Sequence, residues 1–228
     1  ISCVIMEPAT TEEPRDNFLR KVQKLCSRNG AVFILDEMIT GFRWDLRGAQ
    51  NHYKIMPDLA TFGKGMANGF SVAALVGKKE IMNIGGIAKE GSERVFLIST
   101  THGAEMCGLG AFIKTVEVYK KEKVIPHMWS YGEKLIRGMN EAAAEHGIGD
   151  CFSAGGFPCS PYYATKDRAG AASLELRTLF SQEMIRHGVL MPWIALSSAH
   201  TAKELDQTLS AVHKALKIYS LALDDVAK

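Results

Sequence analysis

The sequence has no apolar run near the roughly 20 residues needed to cross a bilayer, so a membrane is not an expected partner. It has no charge excess either: 27 Lys and Arg face 25 Asp and Glu, for a formal net charge of +2. The basic residues are scattered rather than striped, which removes nucleic acid from the expected partners. Cysteine is sparse and unpaired in pattern. Cys3, Cys26, Cys107, Cys151 and Cys159 are odd in number and form no C-x-x-C. That argues against a disulfide framework or a metal centre, and for reduced thiols in a cytoplasmic protein. The start, ISCVIM, lacks the basic residues and long apolar stretch of a signal peptide. It looks like the inside of a sheet, so the expectation is a C-terminal portion of a longer protein. Internal repeats and low-complexity tracts are absent. What remains is an ordinary globular composition, 46% apolar and 23% charged over 228 residues. That length suffices for one large core, or for a medium domain with a smaller companion.

The chain opens with alternating elements. Residues 1–6 form a continuous apolar run of strand length, ending at Glu7-Pro8. Pro14 opens a helical pattern with Phe18, Val22 and Leu25 spaced four and three apart, and Gly30 closes it. AVFIL (31–35) is a second buried-strand run that ends on Asp36. Strand, helix and strand in this order imply a parallel βαβ unit with a right-handed crossover. Further strands are expected within 57–63, 72–77 and 94–100, followed by a long helix over 104–122. Residues 1–122 therefore read as the C-terminal part of a large α/β domain. Residues 123–228 read as a smaller α+β domain. Its parts are a helix over about 126–146, a Gly- and Pro-rich stretch of short strands, a helix over 173–187, and a last helix that starts at Thr201. Glu204 makes a capping box with Thr201. Leu205, Leu209, Val212, Leu216, Tyr219 and Leu223 follow at helical spacing, as core packing does.

In an open parallel sheet, ligands bind beyond the carboxyl ends of the strands. Here that edge is loaded with polar groups: Glu7 after the first strand, Asp36 at the end of the second, Lys64 after the third, and Ser99, Thr100 and Thr101 after the run at 94–99. Each has a bland explanation alone, but together they suggest a site. A P-loop is excluded because Lys64 is followed by Gly65 and no glycine stands five residues before Gly63. A dinucleotide fingerprint is excluded by the spacing in GKGMANG. Pyridoxal phosphate (PLP) fits better. Its aldehyde takes a lysine as a Schiff base, its ring nitrogen a carboxylate, and its phosphate hydroxyl and amide donors.

D36-E-M-I-T-G-F-R43 and P57-D-L-A-T-F-G-K64-G resemble the signature of class III PLP-dependent aminotransferases. Asp36 and Lys64 lie 28 positions apart, as in the branch that includes glutamate-1-semialdehyde aminomutase. R47-G-A-Q-N-H-Y53 and S197-S-A-H-T201 also look like that branch. The resemblance implies a fold-type I transferase: a mostly parallel sheet flanked by helices, a smaller C-terminal domain, and a homodimer with shared active sites. It implies that Lys64 is catalytic and holds the cofactor, that Asp36 pairs with the ring nitrogen, and that Met38 packs against a ring face. Thr101 would bind the phosphate of the neighbouring subunit's cofactor, although H102-G-A-E-M106 departs from the family's usual Gly-Asn-Pro. Glu7 matches the family's Glu-Pro at a strand end. The expected reaction moves an amino group between an amine donor and a keto or aldehyde substrate, such as a sugar or keto acid. Two alternatives stay open: an aminomutase, and a catalytically incomplete or non-catalytic fragment. No arginine stands in 190–201 to grip a carboxylate, and Pro192 and Trp193 occupy the region where the aminomutase carries an acid. Trp193 is a candidate for stacking on a sugar or lining an apolar pocket.

Overall fold

A computed structural model describes residues 1–85 and 103–225. The chain divides into two compact units, Ile1–Ile125 and Pro126–Lys228.

The first unit is built on a four-stranded sheet. Strands β1 (Cys3–Met6), β2 (Val32–Asp36) and β3 (Leu59–Phe62) are parallel neighbours, and β4 (Ala74–Gly77) adds antiparallel to β3 at the edge. Cys3 pairs with Val32 and Met6 with Leu35, and Asp36 lies opposite Thr61. Helix α1 (Phe18–Arg28) provides the crossover between β1 and β2, as parallel pairing requires. Its buried face is Leu19, Val22 and Cys26, packed on Phe33 and Leu35. Phe18 and Leu25 are exposed, so the inward stripe is displaced by one residue from the expected Phe18–Val22–Leu25. Both spacings fit a 3.6-residue period, and Cys26 supplies the apolar surface that fixes the phase. The helix also begins later than Pro14, because Asp16 and Asn17 take left-handed backbone angles (φ 53° and 55°) that no helix continues. A short helix, α2 (Ala49–Tyr53), precedes β3. Asp58 clamps the entry to β3: its carboxylate accepts from the Phe33 N–H at 2.7 Å and pairs with Lys78 at 2.6 Å. Helix α3 (Lys79–Met82) follows β4, and α4 (Met106–Lys121) covers the end of this unit. The strand expected at 94–100 lies outside the described residues.

Helix α5 (Val124–Glu145) begins at the boundary between the units. Pro126 sits in its first turn, where a missing N–H costs nothing. The Gly- and Pro-rich stretch forms a hairpin of β5 (Phe152–Phe157) and β6 (Ser160–Thr165), with Phe157 paired to Ser160 across the turn. Gly132 lets α5 approach that turn, since a Cβ there would collide with the Pro158 carbonyl oxygen. Asn140 fastens α5 to β5, donating to Ala154 O at 2.9 Å and accepting from its N–H at 2.8 Å. Helices α6 (Leu174–Arg186) and α7 (Ala202–Asp225) complete the unit. Phe152, Phe180, Met184, Val212, Leu216 and Tyr219 are almost wholly removed from water. Each such side chain contributes about 1.5–3 kcal/mol of transfer free energy. The capping box is present: Glu204 accepts from the Thr201 N–H at 2.8 Å and from its hydroxyl at 2.6 Å. No helix among the described residues is long and apolar enough to cross a membrane.

Candidate active site

The parallel register brings three of the predicted groups to one edge of the first unit's sheet. Glu7 follows Met6, whose partner is Leu35; Asp36 is the next residue of β2; Lys64 comes two residues after β3. Glu7 and Lys64 are exposed, and Asp36 is half-buried. Thr101 lies outside the described residues.

The Asp36 carboxylate is oriented by the chain itself. Its Oδ1 accepts from the Met38 N–H at 3.0 Å and from the Thr61 hydroxyl at 3.3 Å. Among the described residues no donor reaches Oδ2. This leaves one carboxylate oxygen available to accept from a protonated ring nitrogen, while the donors on the other fix the group's orientation. The residues at this edge therefore suit a PLP-like group.

Lys64 opens a short 3₁₀ turn, Lys64–Met66, closed by the Met66 N–H donating to Gly63 O at 3.0 Å. Its φ is 43°. A left-handed lysine costs about 1–3 kcal/mol and persists only where its surroundings hold it. Gly63, which precedes Lys64, has a local reason to be glycine besides any ligand. A Cβ on Gly63 would stand 2.7 Å from the Met38 Cε, so the Met38 thioether lies against this glycine. On Gly65 a Cβ would make only ordinary contacts, 3.6 Å from Phe42 and Tyr119. At Gly63, then, Met38 already fills the space beside the backbone, whereas Gly65 leaves room. Met38 and Lys64 are joined through Gly63.

Phe42 is a bulky residue with φ 60°. Its ring makes edge-to-face contacts with Phe62 at 6.0 Å, Phe112 at 6.0 Å and Tyr119 at 6.2 Å. That cluster holds the strained loop after β2 beside the lysine turn.

Glu37 is the residue that the sequence did not single out. Its side chain is fully buried. One carboxylate oxygen accepts from the Thr40 hydroxyl and from the Ala49 N–H at 2.8 Å, and the other from the Gln50 N–H at 2.7 Å. Burial pushes its carboxyl above the usual range, the Asp36 charge pushes the same way, and the three donors partly oppose them. Gly48, with φ 85°, lies so close that a Cβ would fall 2.5 Å from Oε1. Nothing in the sequence beyond the acid's place at a strand end could have found this, because two of its donors are 12 and 13 residues away.

The second unit has a cavity of its own, about 310 Å³, between α5, α7 and the segment 188–196, with Tyr131, Trp193, His200 and Gln207 in its wall. Arg177 donates to Pro192 O at 2.7 Å and Tyr163 donates to it at 3.0 Å, which fixes the segment while Trp193 stays exposed.

Comparisons with known proteins point one way. The family described as aminotransferase class-III matches residues 1–209. The 3-aminobutyryl-CoA aminotransferase of Cloacimonas acidaminovorans (strain Evry) is 33% identical over 211 residues, covering 91% of this chain and 49% of the relative. The glutamate-1-semialdehyde 2,1-aminomutase of Neisseria meningitidis serogroup C (strain 053442) is 30% identical, covering 95% and 53%. Among solved structures, the PLP internal aldimine form of the Sphingopyxis sp. MTA144 FumI protein matches with a TM-score of 0.82 at 22% identity, over 99% of this chain and 53% of that one. An omega-transaminase from Sphaerobacter thermophilus matches with a TM-score of 0.82 at 20% identity, over 95% and 52%. The chain spans about half the length of the curated relatives it matches.

Proposed function

Because the chain belongs to the class-III aminotransferase family, whose fold-type I architecture it shares, we propose that it acts as a PLP-dependent aminotransferase, passing an amino group from an amine donor to a carbonyl acceptor. The observation that carries this reading is the placement of Glu7, Asp36 and Lys64 at the carboxyl ends of three adjacent parallel strands, with Asp36 Oδ1 held by two donors. PLP, when bound, supplies an aldehyde for the amino group and a ring that draws electrons from the substrate's α-carbon.

The chain's own residues then divide the work. Lys64 Nζ would hold the cofactor's aldehyde and would carry the proton to and from the substrate's α-carbon as base and acid. The Asp36 carboxylate holds the ring nitrogen protonated, which keeps the ring electron-poor. Met38, lying on Gly63, packs a ring face. By the family resemblance Thr101 would bind the phosphate of the neighbouring subunit's cofactor in a homodimer, and Glu7 would support the edge. The acceptor is a sugar, a keto acid or a related aldehyde. Free cysteines, three of them buried, suit a reducing cytoplasm.

Similarity to glutamate-1-semialdehyde aminomutases sustains the second reading. An aminomutase turns over one substrate with no separate donor and acceptor, so a donor requirement separates the two. The primary test is borohydride reduction of the PLP-loaded protein followed by peptide mapping. The pyridoxyl group is expected on Lys64; its appearance elsewhere, or nowhere, overturns the assignment.

A further inference from the structure

We infer that Glu37 is the positioning residue of this site: its buried carboxylate ties the loop after β2 into one piece and so fixes the Asp36 carboxylate. This rests on the reading of Asp36 as the cofactor's carboxylate partner, but its structural part stands without the cofactor.

All of Glu37's hydrogen-bonding groups are engaged, and its bonds reach three other segments of the site. Its N–H donates to Thr61 O at 2.9 Å, on the same residue whose hydroxyl donates to Asp36. Its C=O accepts from the Gly41 N–H at 2.9 Å, next to strained Phe42. Its carboxylate gathers the Thr40 hydroxyl and the first two N–H groups of α2, Ala49 and Gln50. One buried acid therefore joins the end of β2, β3, the turn at 40–42 and the start of α2. Asp36 precedes it by one residue and shares Thr61 with it. A side chain so enclosed cannot relax when one bond is altered, because the donors it leaves behind are buried too. Ala49 and Thr40 are themselves removed from water. The acidic group suits this place chemically. All its partners are donors, and a carboxylate can accept from three while a glutamine would turn an NH₂ toward at least one of them.

The consequence is that disturbing Glu37 must be felt at the Met38 N–H, which donates to Asp36 Oδ1 and makes no bond to Glu37's side chain. Amide hydrogen exchange on the cofactor-free chain reads this directly. In Glu37→Gln, exchange at Ala49, Gln50 and Met38 is expected to rise about tenfold or more, with Ala154 in the second unit unchanged as the internal control. Thr40→Val, which deletes a single donor, should give the same pattern at smaller size. In the PLP-loaded protein, the pH midpoint of the cofactor's visible absorbance should shift in both variants, more in Glu37→Gln.

The inference is overturned if Ala49 and Gln50 loosen while Met38 does not, since Glu37 would then merely cap α2. It is equally overturned if Met38 loosens and the absorbance midpoint stays in place. Should Glu37→Gln unfold the first unit, seen as faster exchange across all its strands, Thr40→Val decides by the same criteria. If the unaltered protein takes up no PLP, the functional reading fails, and the exchange arm still decides whether Glu37 fixes Asp36.

Discussion

The two units differ in how far each satisfies itself. In the second, β5 and β6 alternate buried and exposed residues, and helices α5, α6 and α7 bring Met139, Phe180, Val212, Leu216 and Tyr219 to nearly complete burial. In the first, β2 alternates buried and half-buried positions, but no residue of β1 or β4 is buried. Ile5, Met56, Phe70, Leu75, Met106 and Ile113 are all exposed there. Parallel sheets ordinarily have both faces covered. The strained and polar features also gather in the first unit: left-handed Phe42 and Lys64, the buried Glu37, and the row of Glu7, Asp36 and Lys64. The difference teaches that stability and chemistry are separated along this chain. The second unit packs most of its large apolar side chains inside, whereas the first has a smaller core around Leu19, Phe33 and Leu35 and carries the candidate site residues.

The largest expected effect lies in the first unit and leaves the second untouched. Lys64→Ala should lower turnover by about a thousandfold or more, since it removes the group proposed to transfer the proton. It should also abolish the pyridoxyl label, while denaturant unfolding of the second unit stays as before. Retained turnover would break the separation at its root.

Core truncation sharpens the contrast from the other side. Phe180→Ala should cost about 3–5 kcal/mol in denaturant titration, because the Phe180 ring packs tilted against Phe152 at 4.9 Å and Tyr163 at 5.0 Å with no exposure. Phe70→Ala, the same deletion at an exposed position of the first unit, should stay within about 0.5 kcal/mol. Equal losses would mean that the two regions are packed alike.

Tyr219→Phe tests the polar fastening of the second unit. The phenol donates toward the carbonyls of Cys151 at 3.0 Å and Lys166 at 2.9 Å, and accepts from the Lys166 N–H at 3.1 Å. Losing it removes these bonds, although the Lys166 N–H still donates to Cys151 O at 2.7 Å, and should cost about 0.5–1.5 kcal/mol. Burial pushes this phenol up to about 12. The native state thus keeps its proton longer than the unfolded chain does, so stability falls as pH rises from the ordinary value of 10.0 toward 12. The phenylalanine variant should lose that slope.

How much of this was legible follows the same division. The capping box at Thr201 and the stripe from Val212 to Leu223 could be read directly, because they rest on spacings of three and four within one helix. The parallel order of β1, β2 and β3 could be inferred from strand, crossover and strand. The phase of α1 could not, since Phe18–Val22–Leu25 and Leu19–Val22–Cys26 fit the period equally and only packing on Phe33 and Leu35 chooses. At the site, Glu7, Asp36 and Lys64 were visible because strand ends are visible. Glu37 was not, because Ala49 and Gln50 reach it only once the loop has closed. The role of Gly63 against Met38 is likewise a contact across 25 residues, which no local pattern contains.

The smallest predicted effect is one of sign, and it sets two acids against each other. Glu37 in the first unit is raised above 4.5, chiefly by burial. Between that value and its raised one the folded state binds more protons than the unfolded chain, so the first unit loses stability as pH rises through this window. Glu204 in the second unit is lowered below 4.5, chiefly by the Thr201 hydroxyl and then by the Thr201 N–H. Its contribution is complete above 4.5 and is lost as pH falls through the lowered value. Hydrogen exchange followed amide by amide across this range should therefore show Ala49 and Gln50 loosening as pH rises, after correction for intrinsic exchange, and Leu205, at the start of α7, loosening as pH falls. Glu37→Gln should flatten the first trend and Glu204→Gln the second, each without altering the other. If one substitution moved both trends, the two units would be energetically coupled, and the separation of core from chemistry would not describe this chain.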